Sequence, residues 1–131
     1  RTQPSIDLIS RISIDPGSIL DIGCGTGNST AQLAKRFPAA EILGVDSSDN
    51  MLERAGKSHP ELTFRKCFVP DGLSEFKNFD LIFSNACLHW IPGHETLLPK
   101  LMEKLTPGGM LAVQIPLTQQ AVFYKLLHEL I

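Results

Sequence analysis

The sequence holds no apolar run approaching the ~20 residues that a membrane-spanning helix needs. Its first residues lack the basic-then-apolar pattern of a secretory leader. Neither sign of charge is in large excess: 12 Lys and Arg stand against 14 Asp and Glu, a formal net charge of −2. That balance gives no electrostatic footprint for nucleic acid or an anionic membrane surface, so neither is expected as a partner. Cysteine is scarce. Cys24, Cys67 and Cys87 are odd in number, far apart and without a CxxC pair, which argues against a zinc site or a disulfide framework. Free thiols fit a reducing compartment, and a cytoplasmic location is expected. The four histidines, His59, His89, His94 and His128, show neither HxxxH nor HExxH spacing, so no metal site is expected from them. Repeats, low-complexity tracts and linkers are missing too.

What is present is an ordinary globular composition, 43% apolar and 20% charged, in 131 residues. That length suits one domain, here residues 1–131, and is enough to bury a core. Two hydrophobic periods alternate along the chain. Ile6, Ile9 and Ile12 form a helical stripe over 4–14. Ser18 to Ile22 reads as a short apolar strand, and Ser29 to Phe37 as a helix stopped by Pro38. A second strand runs from Glu41 to Val45 and ends at Asp46; Ser48 then caps a helix from Asp49 to Lys57. Leu62 to Cys67 and Phe79 to Ser84 give a third and a fourth strand. His94 to Leu105 has helical composition despite Pro99. Pro107-Gly108-Gly109 is a turn before a fifth strand, Met110 to Ile115, and Gln120 to Ile131 reads as a further helix. Apolar strands alternating with helices imply βαβ units and a parallel sheet. Right-handed crossovers place the loops that follow the strands on one edge, where open α/β sheets bind ligands. Chemistry is therefore expected in residues 23–28, 46–51, 67–78 and 84–93.

The first of these loops is Gly23-Cys24-Gly25-Thr26-Gly27-Asn28. Its glycines permit positive φ and close approach of a ligand to the backbone. A dinucleotide site uses G-x-G-x-x-G, and its third glycine falls here on Asn28. Glycines at 23, 25 and 27, followed by Asn28 and Ser29, suit S-adenosylmethionine better, whose carboxylate and amino group need only backbone and small polar partners. Asp46 ends the second strand about 21 residues after Gly25, the spacing at which a carboxylate meets a ribose diol. A turn-capping role fits Asp46 as well. Met51 either covers the adenine or packs in the core. Cys24 is a small residue that fits its loop and carries no nucleophilic role.

Leu20-Asp21-Ile22-Gly23-Cys24-Gly25-Thr26-Gly27, Gly44-Val45-Asp46-Ser47-Ser48 with Met51-Leu52, Phe79-Asp80-Leu81-Ile82-Phe83-Ser84-Asn85 and Leu105-Thr106-Pro107-Gly108-Gly109 follow one another in an order that resembles the class I S-adenosylmethionine-dependent methyltransferases. Gly25 to Thr30, Arg36-Phe37-Pro38, Ser84-Asn85-Ala86-Cys87-Leu88-His89-Trp90, His94 to Pro99 and Leu111 to Pro116 are similar to the trans-aconitate methyltransferases among them, over nearly the whole chain. The resemblance implies a Rossmann-like, doubly wound, mostly parallel α/β sheet, S-adenosyl-L-methionine as cofactor, and a small-molecule carboxylate as acceptor, giving a methyl ester. It implies a cofactor site at Asp21, Gly23, Cys24, Gly25, Asn28, Asp46, Ser47, Met51, Asp71 and Asn85, with His89 and Trp90 on the acceptor side. The fold it resembles has seven strands, and five are countable here. The expectation is a chain truncated after the fifth strand and short of N-terminal helices.

Two departures stand out. Such enzymes usually carry an acid after the third strand that meets the adenine amino group. This chain has Phe68 there, so either Asp71 substitutes or residues are missing near Phe68. The residue before the tryptophan is commonly Gln and is His89 here, which leaves the acceptor open. His89 either binds an acceptor carboxylate or braces Trp90. Trp90 either walls the acceptor pocket or packs, and Asn85 either bonds the cofactor or caps the strand end. The rival readings are a methyltransferase acting on a carrier-bound malonyl group, a nucleotide-linked oxidoreductase, and a cofactor-binding module without catalysis.

Overall fold

A computed structural model describes residues 8–68, 71–85, 99–116 and 122–128. The elements run β1 (Ser18–Ile22), α1 (Asn28–Arg36), β2 (Glu41–Asp46), α2 (Asp49–Ser58), β3 (Thr63–Lys66), a short 3-10 helix (Asp71–Glu75), β4 (Phe79–Asn85), β5 (Leu105–Pro116) and β6 (Val122–His128). They build one sheet in the order β3-β2-β1-β4-β5-β6. β1 to β5 are parallel, and β6 runs antiparallel to β5. The strand order reverses beside β1. There β1 is flanked by β2, which follows it through α1, and by β4 on its other side, so a crevice opens at the C-terminal ends of these strands.

Both faces of the central strands are covered, as near-continuous apolar runs require. Leu20, Ile22, Val45, Ile82, Leu111 and Val113 pack on one face. Ile19, Leu81, Phe83, Met110 and Ala112 pack on the other, under Leu33 of α1, Phe37 and the turn Leu8–Ile12. The period of two decides these memberships: Ile19 and Asp21 share the face that α1 covers, and Leu20 and Ile22 point away from it. α2 starts where Ser48 Oγ accepts the N–H of Met51 at 3.2 Å, with Asp49 in the first turn and Lys57 in the last, both favourable to the helix dipole.

The N-terminal edge of the sheet is tied by Asp80. Its Oδ2 accepts the N–H of Gly17 at 2.8 Å, and its Oδ1 accepts the hydroxyl of Thr106 at 2.6 Å. Its own N–H donates to Ser18 Oγ at 3.2 Å. The Thr106 bond, helped by the backbone of Gly17 and Ser18 and opposed by partial burial, holds the Asp80 carboxyl below its ordinary pKa.

Three expectations from sequence change. Residues 120–131 do not begin a helix in the part described: Val122–His128 is a strand paired with β5 from Met110↔His128 to Pro116↔Val122. The run Val122-Phe123-Tyr124 is rich in strand-favouring residues, and β5 offers a row of backbone groups that need partners. The sheet therefore has a sixth strand beyond the five counted. Leu105 does not end a helix but opens β5, pairing with Phe79 before the register jumps to Leu81↔Met110. The turn at Pro107-Gly108-Gly109 is thus a bulge inside the strand, with Gly108 at φ +81°. Of the helix expected over 94–105, residues 99–105 are described, and only 99–102 are helical. Among the described residues no helix is long and apolar enough to cross a membrane.

Candidate functional site

β1 delivers the glycine loop to the crevice, and β2 holds it there. The N–H groups of Gly23 and Cys24 both donate to the carbonyl of Val45, at 2.8 and 3.0 Å. The loop closes on itself through Gly27 N–H to Cys24 O at 2.9 Å. Gly23, Gly25 and Gly27 all have positive φ (74°, 56° and 91°). At Gly25 a side chain would meet nothing within 4 Å, so the tip of the loop presents bare backbone to open space. Gly27 is different. A Cβ there would lie 3.0 Å from both the His59 and Phe64 rings, so this glycine is needed for packing as well as for its φ.

Asp46 joins the two halves of the site. Its Oδ2 accepts the N–H of Gly25 at 2.9 Å and its Oδ1 accepts the N–H of Ser48 at 2.9 Å. Each carboxylate oxygen keeps a second lone pair for a ligand hydroxyl. The carbonyl of Asp46 accepts the N–H of Cys67 at 2.9 Å, which brings the end of β3 alongside. Two large apolar side chains stand exposed near this edge: Met51 in the first turn of α2 (37% exposed) and Phe68 just after β3 (60% exposed). Lys66 Nζ lies 5.3 Å from the Phe68 ring and 3.1 Å from Asp49 Oδ2.

Asp21 lies under the loop, 1% exposed. Its Oδ2 accepts the hydroxyls of Ser29 (2.7 Å) and Thr30 (2.6 Å), which fastens the first turn of α1 to β1. Its Oδ1 is buried and has no hydrogen-bond partner among the described residues. Burial pushes the Asp21 carboxyl up to about 6; the Thr30 and Ser29 hydroxyls oppose that rise and the negative charge of Asp46 adds to it.

The structure therefore brings Asp21, Gly23, Cys24, Gly25 and Asp46 together. Cys24 is buried in the loop with its Sγ 3.8 Å from the Gly25 carbonyl. Asn28 opens α1 and is exposed, as is Ser47 between β2 and α2. Asp71 begins the 3-10 helix, and Asn85 ends β4 in register with Gln114. His89 and Trp90 lie outside the described residues.

Sequence reasoning gave no role to Gly44, Phe64 or His59. A Cβ on Gly44 would sit 2.9 Å from Phe64, 3.0 Å from Thr30 Oγ1 and 3.1 Å from Cys24 Cβ. The glycine lets β2 carry the loop and α1 at close range. A lone glycine inside an apolar strand was the available signal.

A cavity of about 630 Å³ opens between Ser18, Phe37, Glu41, Leu62 and Phe79, toward the N-terminal ends of the strands, and none of the loop residues lines it. Volume alone does not make it the functional site: the backbone donors, the positive-φ glycines and the two carboxylates converge at the other edge.

Residues 19–109 match the family model described as a methyltransferase domain. Among curated relatives, the trans-aconitate 2-methyltransferase of Methylobacterium radiotolerans is 47% identical over 117 residues, 88% of this chain and 45% of that protein. The one from Deinococcus radiodurans is 46% identical over 129 residues, 97% of this chain and 49% of that protein. The chain thus spans about half the length of the curated relatives it matches. Among solved structures, phosphoethanolamine N-methyltransferase 2 of Haemonchus contortus in complex with S-adenosyl-L-methionine superimposes with a TM-score of 0.74 at 26% identity, covering 88% of this chain and 30% of that one.

Proposed function

The chain belongs to the methyltransferase-domain family, and from that premise we propose that residues 1–131 form the S-adenosyl-L-methionine-binding core of an enzyme that methylates a small-molecule carboxylate, trans-aconitate or a close analogue, to its methyl ester. The observation that carries the reading is the Asp46–Gly25 bond, which sets a diol-binding carboxylate directly against a bare glycine backbone. The residues fit the cofactor. Asp46 suits the ribose hydroxyls, the open backbone at Gly25 suits the amino-acid part, and exposed Met51 and Phe68 suit the flat faces of the purine. Asn28 stands where a dinucleotide site places its third glycine, which argues against a pyrophosphate there.

When bound, the cofactor supplies a methyl group made electrophilic by the sulfonium. A carboxylate acceptor has a pKa of ~4 and is already ionised near neutral pH, so the chain need supply no proton acceptor. Its task is orientation and the exclusion of water, and orientation alone is worth roughly 7–11 kcal/mol. The rigid attachment of the loop to Val45 and Asp46 serves that task. His89 and Trp90 are proposed on the acceptor side, where they follow β4. The buried thiols Cys24 and Cys67 and the net charge of −2 fit a cytoplasmic enzyme acting on a small molecule, with no nucleic-acid or membrane partner.

Calorimetric titration with S-adenosylhomocysteine, with NAD as the control, tests the cofactor. Saturable binding of the first alone, abolished in Asp46→Ala, is expected; binding of NAD alone would overturn the reading. Ester formation on trans-aconitate by the full-length protein tests the acceptor. Transfer to a carrier-bound malonyl group and not to the free acid would redirect it.

A further inference from the structure

The glycine loop is held by different means at its two ends. Its first half hangs from β2 by hydrogen bonds: Gly23 and Cys24 donate to the Val45 carbonyl, and Gly25 to Asp46 Oδ2. Its last residue, Gly27, bonds elsewhere. Its N–H turns back to the Cys24 carbonyl, and its own carbonyl accepts from Ala31, since Gly27 is the N-cap of α1. What stands against Gly27 is a pair of rings. Phe64 lies on β3, beyond β2, in register with Gly44. Its ring crosses β2 where Gly44 leaves the way open. A Cβ at Gly44 would fall 2.9 Å from Phe64 Cδ1, and a Cβ at Gly27 would fall 3.0 Å from Phe64 Cζ. One ring therefore fills the space of two absent side chains. His59, at the end of α2, meets Gly27 with Cδ2 at the same 3.0 Å. Phe64 is the half-buried residue of an otherwise exposed edge strand, and it belongs to neither of the cores on the faces of the sheet. Its packing is directed at the loop. Glycine rotates more freely than any other residue, so Gly27 keeps its φ of +91° only where its neighbours exclude the alternatives.

Resting on the cofactor reading above, we propose that Phe64 is a positioning residue: braced by His59, its ring sets the level of Gly25 to Gly27 and of the first turn of α1, and with it the seat for the ligand's amino-acid part. The ring acts on the loop from behind and does not touch the ligand. The ribose side is held independently, because the bonds of Asp46 to Gly25 and Ser48 do not pass through Phe64. The ring thus bears on one part of the ligand and not on the rest. Removing it leaves a void against Gly27, and the loop backbone must then be ordered by the ligand instead of being set beforehand, at the expense of affinity.

The experiment compares wild type, Phe64→Ala and Phe64→Leu in the full-length protein. Calorimetric titration uses S-adenosylhomocysteine and 5′-methylthioadenosine, which keeps the base and ribose and lacks the amino-acid part. Phe64→Ala is expected to weaken S-adenosylhomocysteine about tenfold and 5′-methylthioadenosine less than about twofold. Phe64→Leu keeps apolar bulk and is expected to recover most of the loss, leaving S-adenosylhomocysteine about threefold weaker. Hydrogen exchange in the ligand-free proteins, read by NMR, gives a second readout. The amides of Gly27 and Ala31 are expected to exchange faster in Phe64→Ala, while those of Gly23 and Cys24, bonded to Val45, keep the wild-type rate. Equal weakening of both ligands, or faster exchange at all four amides together, marks a general loosening of the fold and overturns the proposal. Unchanged affinity for S-adenosylhomocysteine in Phe64→Ala overturns it too. Where Phe64→Ala fails to fold, Phe64→Leu carries the same comparison. In the wild type itself, missing nuclear Overhauser contacts between the Gly27 α protons and the Phe64 ring would overturn it without any variant. Each of these outcomes leaves the cofactor reading intact, whereas failure of the wild type to bind S-adenosylhomocysteine sinks both.

Discussion

Asp46 Oδ2 accepts the backbone N–H of Gly25 at 2.9 Å, across 21 residues of chain. The carboxylate that would hold a ribose also holds the loop that would hold the rest of the ligand. The second oxygen accepts from Ser48, so the same side chain orders the entry to α2.

Asp46→Ala is accordingly expected to weaken S-adenosylhomocysteine binding beyond the loss of the ribose contacts alone. A hydrogen bond to a charged group is worth about 1.5–3 kcal/mol, so two such bonds amount to roughly a hundredfold or more in affinity. Asp46→Asn retains one acceptor oxygen and should fall between wild type and alanine. Titration of the three proteins at one pH checks the order. Equal affinities for wild type and alanine would remove Asp46 from the site.

Gly44 is expected to tolerate no side chain. A Cβ would fall 2.9 Å from the Phe64 ring and 3.1 Å from Cys24 Cβ, and the second of these belongs to the loop itself. Overpacking of this kind costs about 1–3 kcal/mol. Gly44→Ala should lower the thermal midpoint, and Phe64→Leu in the same chain should restore part of it by vacating the ring's volume. Thermal unfolding of the single and double variants measures the coupling; strictly additive losses would show that the ring is not the obstacle.

The glycine loop, Asp46, the Ser48 cap and the first, second and fourth strands were legible in sequence, because each depends on local chemistry: positive φ at glycine, a hydroxyl at an N-cap, apolar runs of strand length. Less legible were features set by neighbours distant in sequence. Leu105 looks helical with the residues before it and becomes a strand because Phe79 offers it a ladder position. Gln120 to Ile131 reads as a helix, yet Val122–His128 pairs with β5 because an open edge is adjacent. The closeness of Gly27 to His59 and Phe64 leaves no local trace, since it joins residues more than 30 apart along the chain.

Asp80 should make the fold sensitive to acid from the opposite edge of the sheet. Its carboxyl is held below the ordinary value chiefly by Thr106. A depressed folded pKa means that the unfolded chain takes up the proton first. The contribution is therefore complete above the unfolded value of about 3.9 and is lost as pH falls through the folded one. Thr106→Val removes the 2.6 Å bond and should cost about 1 kcal/mol near neutral pH. Its difference from wild type should shrink below about pH 4. Denaturant unfolding at neutral pH and at pH 3 tests both parts, and a difference independent of pH would assign the loss to packing alone.

Asp21 should tilt stability the other way. Its carboxyl is raised from 3.8 to about 6, chiefly by burial, so the folded chain binds the proton more tightly than the unfolded chain does. Below pH 3.8 both states are protonated and the stabilisation is fully present; as pH rises toward 6 it is progressively lost, because the folded state must then bury a charge that the unfolded state leaves in water. The rise from 3.8 to about 6 corresponds to roughly 3 kcal/mol at most across this window. The ligand-free chain should thus be easier to unfold at pH 7 than at pH 5, against the usual expectation for a carboxylate held by hydrogen bonds. Asp21→Asn carries no titrating group and should show a flat profile through the same range, with its hydroxyl partners still able to bond the amide oxygen. Urea midpoints of both proteins at half-unit steps from pH 4.5 to 7 decide the matter. A wild-type midpoint that rises with pH through this range would mean that Ser29 and Thr30 outweigh burial, and that Asp21 is an anion in the ligand-free chain.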